Sequence, residues 1–105
     1  MGKGRPIGSE IRNNIIEILA VKGKMYGYDL YKNYIQIFPK VTMRSIYYHL
    51  QKGIKLGEIK VAEVKKEKGN FSWGSEVEKT YYFLGDKAKP KGDKRVRDFV
   101  EQKKE

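Results

Sequence analysis

The chain has 105 residues, enough for one domain with a modest core. Its 23 Lys and Arg against 13 Asp and Glu give a net charge of +10 and a pI near 9.7, which points to a polyanionic partner: nucleic acid first, an acidic protein or membrane surface less readily. The lack of cysteine excludes disulfides and thiolate metal sites and fits a reducing cytoplasm; one histidine cannot hold a metal without carboxylate help, and no apolar run approaches the roughly 20 residues of a membrane span.

The charge is uneven. Residues 13–57 carry seven Lys and Arg against two acids, whereas residues 58–85 carry five of each. The excess therefore lies on the segments read below as helices and on the two ends. Three regions are expected: a basic arm over 1–8, a folded domain over 9–85, and a basic C-terminal segment over 86–105 with a short helix.

The arm is Gly-rich and reads as flexible. Within it, Lys3-Gly4-Arg5-Pro6 resembles the core of the AT-hook, a Gly-Arg-Pro tripeptide that lies in the minor groove of A/T-rich DNA. Lys3 stands where the hook has Arg. An extended arm of this kind can bring Lys3 and Arg5 into a narrow minor groove. A plain terminal tail is the simpler reading of four residues.

Ser9 is placed to cap a first helix, and Ile11, Ile15, Ile18 and Leu19 recur at helical spacing up to Lys22-Gly23, with Arg12, Asn14 and Glu17 on the other face. Tyr26 to Phe38 reads as a second helix, with Leu30, Tyr31, Tyr34, Ile35 and Phe38 as its apolar stripe. Pro39 ends it by pushing the preceding residue out of the helical region. A short turn leads to the stretch the rest presents, Val41 to Gly57, with Thr42 as N-cap and Gly57 just past the end. Advancing about 100° per residue puts Met43, Ile46, Leu50 and Gly53 on one side and Ile54 at its edge. Arg44, Tyr48, Gln51 and Lys55 fall opposite, with Lys52 beside them. This span has no Asp or Glu, although an ordinary exposed helix mixes both signs for i,i+4 pairing. A solvated charge run is the bland reading. The chemistry suits a duplex better: Arg and Lys for phosphate or guanine, Gln for adenine, and Tyr OH for a phosphate oxygen. Ser45 at the helix start joins this set. His49 falls at the border of the inner face and reads as a core-edge residue.

Glu58 to Lys66 and Val77 to Leu84 read as two strands of a β-hairpin, joined by a long loop over 67–76. Its inner face is expected to pack on the first and third helices, since an isolated hairpin is marginal. Lys65, Lys66 and Lys68 are candidates for phosphate contact. Phe71 and Trp73 near the tip have two readings: insertion into a groove or stacking on a base, and folding back onto the hairpin. Glu58, Glu63, Glu67, Glu76 and Glu78 read as solvated charges that stabilise the hairpin rather than as paired catalytic carboxylates. Gly85 to Gly92 is a break. Asp93 caps a short helix whose narrow stripe is Val96, Phe99 and Val100. No catalytic Ser/His/Asp order, phosphate-cradling glycine loop or metal spacing occurs, so neither enzymatic activity, nor a cofactor, nor a small-molecule ligand is expected.

Three helices followed by a hairpin is the winged-helix order, in the α+β class: a three-helix bundle, a two-stranded β wing and a short C-terminal helix. Several motifs resemble PadR-like and related archaeal winged helix-turn-helix regulators: Ile15-Ile16-Glu17-Ile18-Leu19-Ala20, then Met25-Tyr26-Gly27-Tyr28-Asp29-Leu30; Ser45-Ile46-Tyr47 and Leu50; Gly57-Glu58-Ile59; and Lys79-Thr80-Tyr81-Tyr82-Phe83-Leu84. The resemblance covers roughly residues 11–85. It implies a cytoplasmic, sequence-specific, double-stranded DNA-binding transcriptional regulator. Two departures stand out. Gly53 occupies a position where a core leucine is usual, which predicts a loosened or re-angled end to the third helix. The C-terminal segment is shorter than the family's long dimer helices. A homodimer on a two-fold site is expected, because one small module buries little surface. Two other readings stay open: a docking module for transcription or replication machinery, and single-strand or RNA binding through Phe71 and Trp73.

Overall fold

The computed structural model describes residues 7–71 and 74–103. In chain order it has α1 (Ile7–Lys22), β1 (Met25–Tyr26), α2 (Gly27–Ile37), α3 (Met43–Leu56), β2 (Ile59–Phe71), β3 (Gly74–Leu84) and α4 (Lys94–Lys103). One core joins all of them. Ile15, Ile18 and Leu19 of α1, Leu30 and Tyr34 of α2, Ile46 and Leu50 of α3, Ile59 and Tyr82 of the sheet, and Val96 of α4 are all buried. Each fully buried aliphatic side chain contributes about 2 kcal/mol.

α1 opens at Ile7, two residues before the Ser9 expected as its cap. The second helix, by contrast, starts one residue later than expected, at Gly27. Met25 and Tyr26 are not helical; they form β1 and pair antiparallel with β3, Met25 opposite Tyr82 and Tyr26 opposite Tyr81. The expected two-stranded wing is thus part of a three-stranded sheet in the order β1-β3-β2. A bridge of two residues is too short to show an alternation, and its backbone groups find partners only when distant β3 arrives. α2 ends as expected. Phe38 is extended ahead of Pro39, and its N–H donates to Tyr34 O at 2.8 Å.

α3 carries both expected caps. Thr42 Oγ1 accepts from Ser45 N–H at 3.0 Å. At the other end Gly57 takes φ +80, Gly57 N–H donates to Ile54 O at 3.1 Å, and Glu58 N–H donates to Gly53 O at 2.9 Å. These paired bonds are the Schellman arrangement, which needs a left-handed residue at that point. The helix is not loosened at Gly53. A Cβ there would lie 2.5 Å from Ile59 Cδ1 and 2.9 Å from Ile59 Cγ1. Gly53 is therefore the notch that receives Ile59, and the side chain missing from α3 is supplied by the first residue of β2. Gly27 similarly makes room for Tyr47, so the start of α2 packs closely on α3.

The hairpin strands run further than expected. Pairing continues from Ile59 opposite Leu84 out to Phe71 opposite Gly74, with register shifts between Val61 and Glu63 and between Lys68 and Phe71. Most of the expected long loop is thus strand. Its Gly and Asn residues look like turn formers in isolation, whereas the backbone pairing runs on through Glu67 opposite Val77 and Lys68 opposite Glu76.

α4 docks on the domain through Val96, which is fully buried, and through half-buried Val100. Asp93 caps it as expected, accepting Arg95 N–H at 2.8 Å. Its start is tied down from α1. Glu17 Oε2 accepts Lys91 N–H at 2.6 Å, and Oε1 accepts Gly92 N–H at 2.9 Å and Asp93 N–H at 3.0 Å. Glu17 was expected on an open face; it is 8% exposed because these three amides take the place of water around its carboxylate.

Candidate nucleic-acid interface

The amphipathic reading of α3 places its side chains correctly. Ile46, His49, Leu50 and Gly53 are buried; Arg44, Tyr48, Gln51, Lys52 and Lys55 are exposed, Tyr48 to 59%. Ser45 is half-buried, and its N–H is committed to Thr42. Among the described residues no carboxylate lies within ion-pair distance of Arg44, Lys52 or Lys55. Three cations, an amide and a phenol therefore share one outward face, and among the described residues none of the three cations has an ion-pair partner. That face can offer bidentate donors to guanine or phosphate from Arg44, a donor and an acceptor to adenine from Gln51, and point charges from the lysines.

His49 lies just behind this face. Tyr48 meets it edge-on with ring centroids 4.9 Å apart. Burial, helped by the nearby charges of Arg12 and Lys52, lowers its pKa from the ordinary value. The imidazole is thus held neutral in the fold, and its Nδ1 is buried without a hydrogen-bond partner among the described residues. Arg12 is drawn to the same edge by Glu58, whose Oε1 it meets at 2.8 Å. That ion pair ties α1 to the turn after α3.

The wing lysines do not form one cluster. Lys65 and Lys66 are neighbours in β2 and so project to opposite faces. Lys65 lies 3.3 Å from Glu63 and 5.2 Å from the Tyr81 ring centroid. Glu63 also meets Lys24 at 3.0 Å, and the first cause of its lowered pKa is that hydrogen bond with Lys24. Lys24 and Lys79 approach the rings of Tyr81 and Tyr26, so the β1–β3 face is a patch of lysines laid over tyrosines. Lys66 is exposed on the other face. Lys68 sits in β2 opposite Glu76. Lys3, Arg5 and Trp73 lie outside the described residues.

Glu17, the Lys24–Tyr81 patch and the lysines of residues 85–93 were not among the residues expected to matter. Only the last left a visible trace, an alternation of lysine with small residues or proline. Among the described residues no group of three His, Asp or Glu side chains could hold a metal ion, and no helix is long and apolar enough to cross a membrane.

No family model matches the sequence, and no curated protein matches it. Solved structures do share the fold. Bacillus subtilis PadR, in complex with operator DNA, superposes with a TM-score of 0.59 at 22% identity, over 92% of this chain and 49% of that one. A PadR family transcription regulator from Clostridium difficile R20291 gives a TM-score of 0.53 at 24% identity, over 90% of this chain and 82% of that one. The chain thus spans about half the length of the B. subtilis protein. The fold expected from the sequence is the fold found: this chain has the α+β winged-helix architecture seen in PadR family transcription regulators.

Proposed function

We propose that the chain binds double-stranded DNA in a sequence-dependent way, as a transcriptional regulator, with α3 in the major groove. The observation that carries this reading is the outer face of α3, exposed, free of acids and without ion-pair partners among the described residues. Arg44, Tyr48 and Gln51 are assigned to base edges or to the phosphates beside them, Ser45 to the helix start, and Lys52 and Lys55 to the sugar–phosphate backbone. Lys65, Lys66 and Lys68 are assigned to the flanking backbone, Trp73 to the groove near the wing tip, and Lys3 and Arg5 to a neighbouring minor groove. The mechanism is recognition without bond chemistry. The fold supports the reading as well, since a solved neighbour with this fold is PadR in complex with operator DNA.

Two copies on a two-fold site would give the buried area that a tight specific complex needs. The test is selection of bound duplexes from a random pool at physiological salt. The expected outcome is an enriched inverted repeat. A pool that returns unenriched after several rounds overturns the sequence-specific reading. Light scattering with and without the enriched duplex tests the dimer; a single copy in both states removes it.

A further inference from the structure

The segment between β3 and α4 carries Lys87, Lys89 and Lys91 at every second position, and all three line one cleft of about 460 Å³. The opposite walls are Asn13 and Ile16 of α1 and Leu56 in the last turn of α3. The cleft is joined to α3 directly. Lys87 N–H donates to Gly57 O at 2.9 Å, and a Cβ on Gly57 would sit 3.1 Å from Lys87 Cγ. Lys52 lies four residues before Leu56, hence on the same side of α3 one turn away. Lys52 therefore lies on the side of α3 that ends in the cleft's Leu56 wall.

The acids that line this cleft, Glu17, Glu58 and Asp93, are already engaged. Glu17 holds three backbone amides, Glu58 pairs with Arg12 at 2.8 Å, and Asp93 pairs with Arg95 at 2.9 Å. Asp86 stands 4.0 Å from Lys60. Among the described residues none of Lys87, Lys89 and Lys91 has a carboxylate within ion-pair distance, and all three are exposed. Three ammonium groups on residues that line one cleft repel each other unless an anion lies among them. Lys87 sits in the turn closed by Ala88 N–H donating to Gly85 O at 3.2 Å, and Lys89 and Lys91 follow it along the same cleft, so one stretch of sugar–phosphate backbone lying there can meet all three.

We infer that Lys87, Lys89 and Lys91 form a second phosphate-binding edge that extends the α3 interface along the backbone of the same duplex. This rests on the DNA-binding reading given above. Glu17 is the positioning residue: by holding the amides of residues 91–93 it fixes the path of the strip. The edge carries affinity and length of footprint, not base preference.

The test is a salt titration of the full chain on a random-sequence duplex of about three helical turns, roughly 30 base pairs, by fluorescence anisotropy. The variants are K87Q/K89Q/K91Q and K87R/K89R/K91R, each checked by circular dichroism. Each phosphate contact contributes about 0.9 to the log–log slope, so the Gln variant is expected to lower its magnitude by about 2 to 3, and the Arg variant to keep it. A steep wild-type slope that the Gln variant leaves unchanged overturns the strip while leaving α3 as the interface; an acidic protein would then be the better occupant. Wild-type protein that fails to bind the duplex overturns the DNA-binding reading itself.

Discussion

Glu17 offers the sharpest test of how this fold is held. Its carboxylate is 8% exposed and accepts three backbone N–H groups at 2.6, 2.9 and 3.0 Å. Glu17→Gln keeps the shape but replaces one acceptor oxygen with an NH₂. The less costly orientation leaves the carbonyl oxygen on Gly92 and Asp93 and turns the NH₂ toward Lys91 N–H, donor against donor. One charge-assisted bond is lost and a donor is left facing a donor, a cost of about 2 kcal/mol. Glu17→Ala removes both acceptor oxygens and leaves three N–H groups without them, and water can reach only part of what it exposes, so about 4 kcal/mol is expected. For a domain of this size the Gln variant corresponds to a melting point lower by on the order of 8 °C. Because the carboxylate binds the start of α4, loss can also appear locally, as release of α4 with exposure of Val96. Denaturant unfolding reads the global cost, and amide exchange at Lys91, Gly92 and Asp93 reads the local one. A Gln variant with the wild-type midpoint and wild-type exchange at those three amides would refute the reasoning.

Other consequences are equally direct. Gly53→Ala gains about 1 kcal/mol of helix propensity but drives a methyl into Ile59, at a cost of about 1–3 kcal/mol, so net destabilisation of about 1 kcal/mol is expected. Adding Ile59→Val removes the nearest atom, so the double variant should unfold at higher denaturant than the sum of the single effects requires; strict additivity would show that the notch is not filled as described. Arg44→Ala should relax base preference in duplex selection, whereas Lys66→Ala should weaken all sequences alike and lower the salt slope by about 1. The lowered pKa of His49 sets the sign of a pH effect. The unfolded chain takes up a proton near pH 6.5 while the folded chain does not, so stability present above that pH is lost as the pH falls below it. The slope is at most about 1.4 kcal/mol per pH unit, and His49→Leu should flatten it in denaturant titrations between pH 7.5 and 5.5. Thr42→Ala should cost about 1 kcal/mol through the lost cap on Ser45 N–H, read by the same titration.

The legible parts of this molecule were those whose signal is local. The stripe Ile46, Leu50 and Gly53, with Arg44, Tyr48 and Lys55 opposite, repeats every turn, so three turns suffice to fix both faces of α3. Thr42 and Gly57 are equally readable because a cap acts within four residues of itself. What escaped depends on partners far along the chain. Met25 and Tyr26 become a strand only because Tyr81 and Tyr82 arrive more than fifty residues later. Glu17 looks like an ordinary surface acid until the amides of residues 91–93 fold over it. Gly53 looked like a defect because a glycine in a helix carries no mark of the side chain that fills its notch. The hairpin reached further than expected because pairing resumes beyond the register shift at Gly69 and Asn70, with Phe71 opposite Gly74, so these two residues interrupt the ladder without ending it.

The central claim is that the outward face of α3 meets the duplex. An NMR titration of isotope-labelled full-length chain with the selected duplex tests it at residue resolution. The largest shifts and protections are expected on Arg44, Tyr48, Gln51, Lys52 and Lys55, with Ile46 and Leu50 behind them little changed. Shifts gathered on the β1–β3 face or on α4, with the α3 face silent, would contradict it.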